Sequence, residues 1–142
     1  MKTLLFAGAA LTLAASQAFA DGDPAKGEKA FNKCKACHMI ETADGETIIK
    51  GGKTGPNLWG VVGRVAGTTD FKYSDYMVTA GGEGLVWDEA NFSEYVADPS
   101  KFLKAYLDDS KARGKMTFKL RKAEEAADIW SYLESVSPPA ES

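Results

Sequence analysis

Both cysteines and the single histidine of this 142-residue chain lie in one pentapeptide, Cys34-Lys35-Ala36-Cys37-His38. A C-x-x-C-H spacing is typical of covalent haem attachment, in which two thiols add across the haem vinyl groups and the adjacent imidazole ligates the iron. The two intervening residues let both sulfurs reach vinyls on neighbouring pyrrole rings, and His38 is then held directly under the iron. We therefore predict one covalently attached haem c, around which the rest of the chain has to fold.

Three other uses of the same residues compete with haem attachment. An exported chain tends to oxidise a cysteine pair, so a small structural disulfide is the strongest alternative. A thioredoxin-like redox pair should open a helix inside alternating strands and helices, and no such alternation surrounds Cys34 and Cys37. Three ligands this close in sequence are too crowded for a tetrahedral zinc site, and no second cluster completes one. Haem attachment is preferred, while a disulfide or a dithiol stays open.

The N-terminal residues have the pattern of a secretory signal. Lys2 precedes an apolar stretch from Leu4 to Ala15, and Ala18-Phe19-Ala20 is a small-x-small cleavage pattern. This apolar run, like every later one, is shorter than the roughly 20 residues that a membrane span requires. We predict that residues 1–20 are a cleaved signal peptide and that residues 21–142 form a single domain in the periplasm.

The charge balance bears on the kind of partner. The predicted signal contains one lysine and no acidic residue, so its removal leaves 16 basic and 20 acidic residues and a formal net charge of −4. A net acidic chain of this size does not support nucleic-acid binding, which usually shows as a basic domain. Export also fits the haem prediction, because bacteria join haem to cysteines outside the cytosol.

Helices are predicted on both sides of the pentapeptide. Asp23-Pro24 starts a first helix, with a cap residue followed by proline at the first helical position. Gly27 lies on the apolar face of that helix, which indicates that another helix comes very close. Further helices are predicted over 88–97, 100–107 and 122–136, and loops over 39–64 and 108–120. The long first loop is compatible with a compact domain when a haem supplies the missing core.

The second axial ligand has two candidates. Haem iron takes a ligand on each face, and the chain has no second histidine. Met1 lies in the predicted signal, and Met39 adjoins His38 on the same side of the ring. Met77 lies in an aromatic stretch, whereas Met116 lies in a loop between two helices, where a methionine that only fills a core is less expected. Position favours Met116, and Met77 stays open.

Several short segments, taken in order, resemble class I cytochromes c. They are Gly27 and Phe31 before the pentapeptide, Lys53-Thr54-Gly55-Pro56-Asn57-Leu58, Gly63-Arg64, and Lys115-Met116-Thr117-Phe118. The resemblance covers essentially all of residues 21–142 and is greatest to bacterial cytochrome c2 and related periplasmic carriers of alphaproteobacteria. It implies an all-α cytochrome c fold, in which several helices and long loops wrap around one covalently attached haem and the N- and C-terminal helices pack together.

The resemblance also implies roles for single residues. Met116 is expected as the distal sulfur ligand opposite His38. The Pro56 carbonyl is expected to accept a hydrogen bond from the outer nitrogen of His38, a contact that fixes the imidazole tautomer and raises its basicity. Tyr95 is expected to place its hydroxyl near the Met116 sulfur. The expected contacts to the haem propionates are Arg64, Tyr73 and Trp87.

Histidine and methionine together would fill both axial positions and leave no vacancy for oxygen, peroxide or a substrate. The predicted function is therefore a soluble periplasmic one-electron carrier and not an enzyme. The resemblance implies the cytochrome bc1 complex as donor, and a photosynthetic reaction centre or a terminal cytochrome c oxidase as acceptor. A haem enzyme or gas sensor with a displaceable Met116, and a haemless dithiol oxidoreductase, stay open as alternatives.

A carrier must bind two partners in turn and release them quickly, which favours a small, electrostatically steered and transient contact by a monomer at the membrane. Lysines in the segments expected to border the haem edge would supply this contact: Lys33, Lys35, Lys53, Lys101, Lys104, Lys111, Lys115 and Lys119. Acidic residues are expected on helices further round the molecule: Glu89, Glu94, Asp98, Glu124, Glu125 and Asp128.

Overall fold

A computed structural model describes residues 21–138. The predicted signal peptide, residues 1–20, lies outside the described residues, as do residues 139–142. The described part contains five α-helices, a single turn of 3-10 helix and two short strands. In chain order these are α1 (Pro24–Ala30), the 3-10 turn (Phe31–Lys33), β1 (Ile40–Glu41), β2 (Thr47–Ile49), α2 (Asp75–Gly82), α3 (Glu89–Ala97), α4 (Pro99–Tyr106) and α5 (Ala123–Val136).

The predicted first helix starts at Pro24 as expected, and the helices predicted over 88–97, 100–107 and 122–136 are present within about one residue of those bounds. The fold is helical with little sheet, so the predicted all-α class is confirmed. The first helix and α3 start with the capping chemistry that the sequence indicates. The Asp23 carboxylate accepts hydrogen bonds from the first turn of α1, and Asp88 accepts one from the Asn91 amide of α3 at 2.7 Å. Asp98 ends α3 and caps α4, which explains why the two helices follow each other with no loop between them.

Two elements were not predicted. Helix α2 ends in Gly81 and Gly82 and has little amphipathic pattern, so its stability comes from the Ser74 cap and from burial of Met77 and Ala80. The segment 39–64, predicted as loop throughout, contains the antiparallel pair β1–β2, with Ile40 opposite Ile49. Strands of two and three residues are too short to show an alternating pattern.

Helices α1 and α5 pack together as predicted for the N- and C-terminal helices, and Gly27 is the point of closest approach. A Cβ on Gly27 would lie 1.9 Å from the Asp128 carbonyl oxygen and 2.8 Å from the Tyr132 Cβ. The Asp23 amide donates to the Asp128 carboxylate at 2.8 Å, and the Phe31 and Tyr132 rings lie 6.0 Å apart. This helix pair therefore holds the segment that leads directly into the C-x-x-C-H pentapeptide.

The buried residues form one core beneath α3, α4 and α5. Leu103 and Leu133 are fully buried, and the Phe92 and Trp130 rings of α3 and α5 lie 5.2 Å apart. Among residues 21–138, no helix has the length and apolar character needed to cross a bilayer.

Candidate haem site

The pentapeptide forms a compact turn directly after α1 and its 3-10 extension. The Cys34 amide donates to the Phe31 carbonyl at 2.8 Å, and the His38 amide donates to the Cys34 carbonyl at 2.9 Å. Cys34 is half-buried and Cys37 is exposed. Burial, reinforced by the neighbouring Cys37, raises the pKa of Cys34 to about 11. A dithiol oxidoreductase needs a thiol with a lowered pKa, so this environment disfavours that alternative.

The ring of His38 has a defined orientation. Its Nδ1 lies 2.8 Å from the Pro56 carbonyl oxygen, and because a carbonyl only accepts, Nδ1 donates. The hydrogen bond expected between these two residues is therefore present. Burial lowers the pKa of His38, and the bond to Pro56 opposes this shift in part. The result is a neutral imidazole whose Nε2 lone pair is free for a metal ion.

Three glycines allow the following loop to lie directly against the pentapeptide. A Cβ on Gly55 would lie 2.5 Å from the His38 Cε1 atom, and a Cβ on Gly51 would lie 1.8 Å from the His38 carbonyl oxygen. A Cβ on Gly52 would lie 2.1 Å from the Ala36 carbonyl oxygen. Backbone hydrogen bonds from Gly52 and Gly55 close this cradle at 2.9 and 2.8 Å. All three glycines lie in the predicted loop 39–64, and their grouping just before Pro56 is a sequence signal for this close approach.

Asn57 braces the same loop. Its Oδ1 accepts from the amides of Glu41 at 3.1 Å and Trp59 at 3.0 Å, and its Nδ2 donates to the Glu41 carbonyl at 2.7 Å. The side chain thus ties strand β1 to the residue that follows Pro56. The sequence motif that contains Asn57 indicates no role for this residue. The structure shows that Asn57 anchors the loop next to Pro56, whose carbonyl orients His38.

Arg64 is a half-buried cation held by backbone carbonyls. Its guanidinium donates to Trp59 at 3.1 Å and to Asn57 at 3.3 Å. Burial lowers the pKa of Arg64, and the proximity of Tyr73 offsets part of that shift. Within residues 21–138, no carboxylate lies at ion-pairing distance from this guanidinium. A partly desolvated cation without a counter-charge is suited to an anionic group such as a haem propionate.

Trp87 and Tyr95 lie together in an aromatic cluster, with ring centroids 5.0 Å apart. A Cβ on Gly114 would lie 3.6 Å from the Tyr95 hydroxyl and 4.0 Å from the Met116 amide nitrogen, so the hydroxyl lies beside the loop that carries Met116. Burial, reinforced by Tyr73, raises the pKa of Tyr95 to about 12. Tyr95 is therefore a neutral hydroxyl in a poorly solvated place next to the Met116 loop.

The two candidate methionines differ in environment. Met77 is 5% exposed and lies inside α2. The backbone of α2 packs closely on the turn at Gly67, because a Cβ on Gly67 would lie 3.0 Å from the Met77 carbonyl oxygen. Met116 is half-buried in the irregular segment between α4 and α5. Met77 thus behaves as a core residue, while the Met116 thioether is not committed to a helix interface.

The predicted separation of basic and acidic residues is wrong for four of them. Lys33 forms an ion pair with Glu125 at 2.6 Å, and Lys119 forms one with Asp98 at 2.7 Å. The cause is chain topology, since the end of α1 meets the start of α5 and the segment before α5 passes the α3–α4 junction. Lys115 donates to the Lys72 carbonyl. The exposed predicted partner lysines without an ion pair in the described residues are Lys35, Lys53, Lys101, Lys104, Lys111 and Lys115.

A helical fold closed around an attachment turn, with an oriented imidazole, defines an electron-transfer protein that carries one covalent haem c. No family model matches the chain. The chain is 62% identical over 128 residues to cytochrome c-551 of Roseobacter denitrificans, which covers 90% of this chain and 91% of that protein. It is 57% identical over 120 residues to cytochrome c2 of Cereibacter sphaeroides, covering 82% of this chain and 97% of that protein.

The solved structures agree. Cytochrome c2 from Rhodobacter sphaeroides superposes with a TM-score of 0.80 at 57% identity, over 82% of this chain and 97% of that one. Ferric cytochrome c-550 from Paracoccus versutus superposes with a TM-score of 0.78 at 52% identity, over 82% and 99%. The chain belongs to the class I c-type cytochromes, within the alphaproteobacterial cytochrome c2 group. It is an electron carrier and not an enzyme.

Proposed function

We propose that this protein is a soluble periplasmic carrier, exported by the signal in residues 1–20, whose haem iron is held between His38 and Met116. The observation that carries the proposal is the 2.8 Å hydrogen bond from His38 Nδ1 to the Pro56 carbonyl, because it leaves Nε2 as the only ring nitrogen able to bind iron. Met116 supplies the opposite ligand, since Met77 is committed to the interior of α2.

When bound, haem c supplies a one-electron ferric/ferrous couple. Cys34 and Cys37 hold the group covalently. The hydrogen bond to the Pro56 carbonyl makes His38 Nε2 a stronger electron-pair donor to a metal ion. The soft Met116 thioether favours the reduced iron. Trp87 is buried and Tyr95 is half-buried, so this aromatic pair limits the access of water, which further disfavours the extra charge of the oxidised state.

Arg64, Tyr73 and Trp87 are proposed to contact the haem propionates. The half-buried guanidinium of Arg64 supports this role because it lacks a carboxylate partner in the described residues. The Tyr73 hydroxyl is hydrogen-bonded to the Thr69 hydroxyl, which orients it. In this arrangement Arg64 offsets the propionate charge at a site that would otherwise be costly to bury.

The proposed partners are the cytochrome bc1 complex as donor and a photosynthetic reaction centre or cytochrome c oxidase as acceptor. A monomeric carrier would meet both transiently at the membrane surface. The proposed contacts that remain are the lysines without an ion pair in the described residues, Lys35, Lys53, Lys101, Lys104, Lys111 and Lys115, whereas local ion pairs offset much of the charge of Lys33 and Lys119.

The axial assignment is tested with Met116→Ala and its matched control Met77→Ala. We expect Met116→Ala to abolish the ferric methionine-sulfur charge-transfer band and to admit cyanide or carbon monoxide readily. Met77→Ala should keep the band but lower the free energy of unfolding by about 2–5 kcal/mol, because it creates a cavity in the core. A band that survives in Met116→Ala and disappears in Met77→Ala would overturn the assignment.

Wild-type protein provides the test of the carrier role itself. If both axial positions are filled, the band should persist in the presence of cyanide, and the haem should stay with the protein during acid-acetone extraction. Rapid ligand binding by the wild type would instead indicate a haem enzyme or a gas sensor.

A further inference from the structure

Residues 113–119, the Met116 segment, lie between two anchored residues. Ala112, just before the segment, is fully buried, and the amide of Leu120, just after it, donates to the Val96 carbonyl of α3 at 2.7 Å. Within the described part of the chain, the segment itself makes no hydrogen bond between backbone groups. Its position, and with it the position of the Met116 thioether, therefore depends on side-chain contacts.

Two lysines of the Met116 segment make polar contacts with other parts of the fold. Lys115 donates to the Lys72 carbonyl, which carries no net charge. Lys119 donates to Oδ2 of the Asp98 carboxylate at 2.7 Å and forms an ion pair with it. The second contact joins opposite charges, so it adds a Coulombic attraction to the hydrogen bond. It fastens the segment to the junction of α3 and α4.

Asp98 is oriented for this ion pair before Lys119 reaches it. Its Oδ1 accepts the Lys101 amide at 3.1 Å and caps α4, which leaves Oδ2 for Lys119. The hydrogen bond from Lys119, and after it the one from the Lys101 amide, lowers the pKa of Asp98, so the carboxylate is ionised at neutral pH. Exposed ion pairs usually contribute little because two flexible side chains have to be ordered. Here the carboxylate is already held by the helix that it caps, and the Lys119 side chain alone loses freedom.

We propose that Lys119 is a positioning residue for Met116: its ion pair with Asp98 keeps the Met116 segment closed and the thioether in place as the axial ligand. This inference rests on the proposed ligation by His38 and Met116. Lys119 acts through the two residues that separate it from Met116 in the chain. Helix α3, which ends at Asp98, also carries Tyr95, whose hydroxyl lies beside the Met116 segment. The ion pair therefore holds the segment against the helix that supplies this hydroxyl.

The test compares Lys119→Gln with Lys122→Gln in the haem-loaded protein at low salt. Lys122 is also exposed and loses the same charge, but it has no ion pair in the described residues. Hydrogen exchange of the Leu120 amide reports opening of the segment, and the urea midpoint for loss of the methionine charge-transfer band reports the ligand. We expect Lys119→Gln to accelerate the exchange about threefold and to lower the band midpoint, while the midpoint of global unfolding by circular dichroism stays nearly unchanged. Lys122→Gln should accelerate the exchange less than about 1.5-fold.

Two further variants isolate the ion pair. Asp98→Asn keeps an oxygen that can cap α4 and removes the charge, so it should reproduce the effect of Lys119→Gln. The double variant should exchange no faster than either single variant, because both substitutions break the same interaction. Lys119→Arg retains the positive charge and should behave as the wild type. High salt, which screens exposed charges, should narrow the difference between the wild type and Lys119→Gln.

Equal acceleration by Lys119→Gln and Lys122→Gln would overturn the proposal, because only net charge would then matter. Single effects that add up in the double variant would overturn it as well. So would faster exchange with an unchanged band midpoint, since the ion pair would then close the segment without positioning Met116. The exchange of the Leu120 amide does not depend on which methionine binds iron. Failure of the axial assignment, which Met116→Ala and Met77→Ala report, is therefore distinguishable from failure of this inference.

Discussion

Replacing Gly27 with alanine should separate the helix pair that supports the attachment turn. The added Cβ would lie 1.9 Å from the carbonyl oxygen of Asp128, whereas Cβ atoms do not approach other atoms within 3.0 Å. Helices α1 and α5 must therefore move apart locally by about 1.1 Å. The obstacle is a backbone carbonyl of α5, which cannot rotate away as a flexible side chain would.

The magnitude follows from three opposing contributions. Overpacking of a close contact costs about 1–3 kcal/mol. Displacement of α1 also weakens the hydrogen bond from the Asp23 amide to Asp128, which contributes about 1 kcal/mol. Alanine is a better helix former than glycine by about 1 kcal/mol, which offsets part of the loss. We expect Gly27→Ala to lower the free energy of unfolding by about 2 kcal/mol and the melting temperature by about 8 °C.

The assay is urea unfolding of the haem-loaded protein, with Gly82→Ala as the matched control. Gly82 is also helical and exposed, but a Cβ there meets nothing within 4 Å, so the substitution adds only helix propensity. The free energy of unfolding of the control should be unchanged or higher by up to about 1 kcal/mol. A Gly27→Ala midpoint equal to or above that of the wild type would refute the reasoning, because the close helix contact would then carry no steric constraint.

Three further substitutions test the site. Asn57→Ala leaves both backbone groups of Glu41 without their partner and should lower the free energy of urea unfolding by about 2 kcal/mol. Asn57→Asp keeps the acceptor but places a carboxylate oxygen against the Glu41 carbonyl and should cost at least as much; an unchanged midpoint in both variants would contradict the bracing role. Burial raises the pKa of Tyr95 to about 12 in the folded protein, compared with about 10 in the unfolded chain. The contribution of the neutral Tyr95 hydroxyl to the free energy of unfolding is therefore complete below about pH 10 and is lost as the pH rises toward about 12. In Tyr95→Phe the free energy of unfolding should therefore decrease less with pH over that range than in the wild type. An unchanged dependence on pH would argue against a buried hydroxyl. Gly55→Ala should displace the His38 ring and shift its haem-ligand proton resonances, while Gly82→Ala leaves them unchanged.

The parts that the sequence predicts well are those specified by local chemistry. C-x-x-C-H identifies the attachment turn because both cysteines and the histidine have to be close in sequence. The caps at Asp23 and Asp88 mark helix starts because a carboxylate must meet amides only two or three residues away. The glycine at position 27 predicts a close helix approach because its cost within a helix needs a tertiary explanation.

The parts that the sequence does not predict depend on tertiary contacts. Helix α2 forms through burial of Met77 and Ala80 against elements distant in the chain. The ion pair of Lys33 with Glu125 joins residues that are 92 positions apart, and no local pattern reports it.

The two sides of the haem site are supported in different ways. On the His38 side, the imidazole is held by the Pro56 carbonyl and by a loop that lies against it through Gly55, with backbone contacts that leave little room for adjustment. On the Met116 side, the thioether belongs to a segment without regular secondary structure, joined to the rest of the fold by contacts such as the hydrogen bond from the Leu120 amide to Val96 at 2.7 Å. Segments with few such contacts open at lower free energy than packed helices. In the proposed ligation by His38 and Met116, the attachment side would therefore fix the position of the cofactor, and the methionine side would be where conformational change alters its ligation.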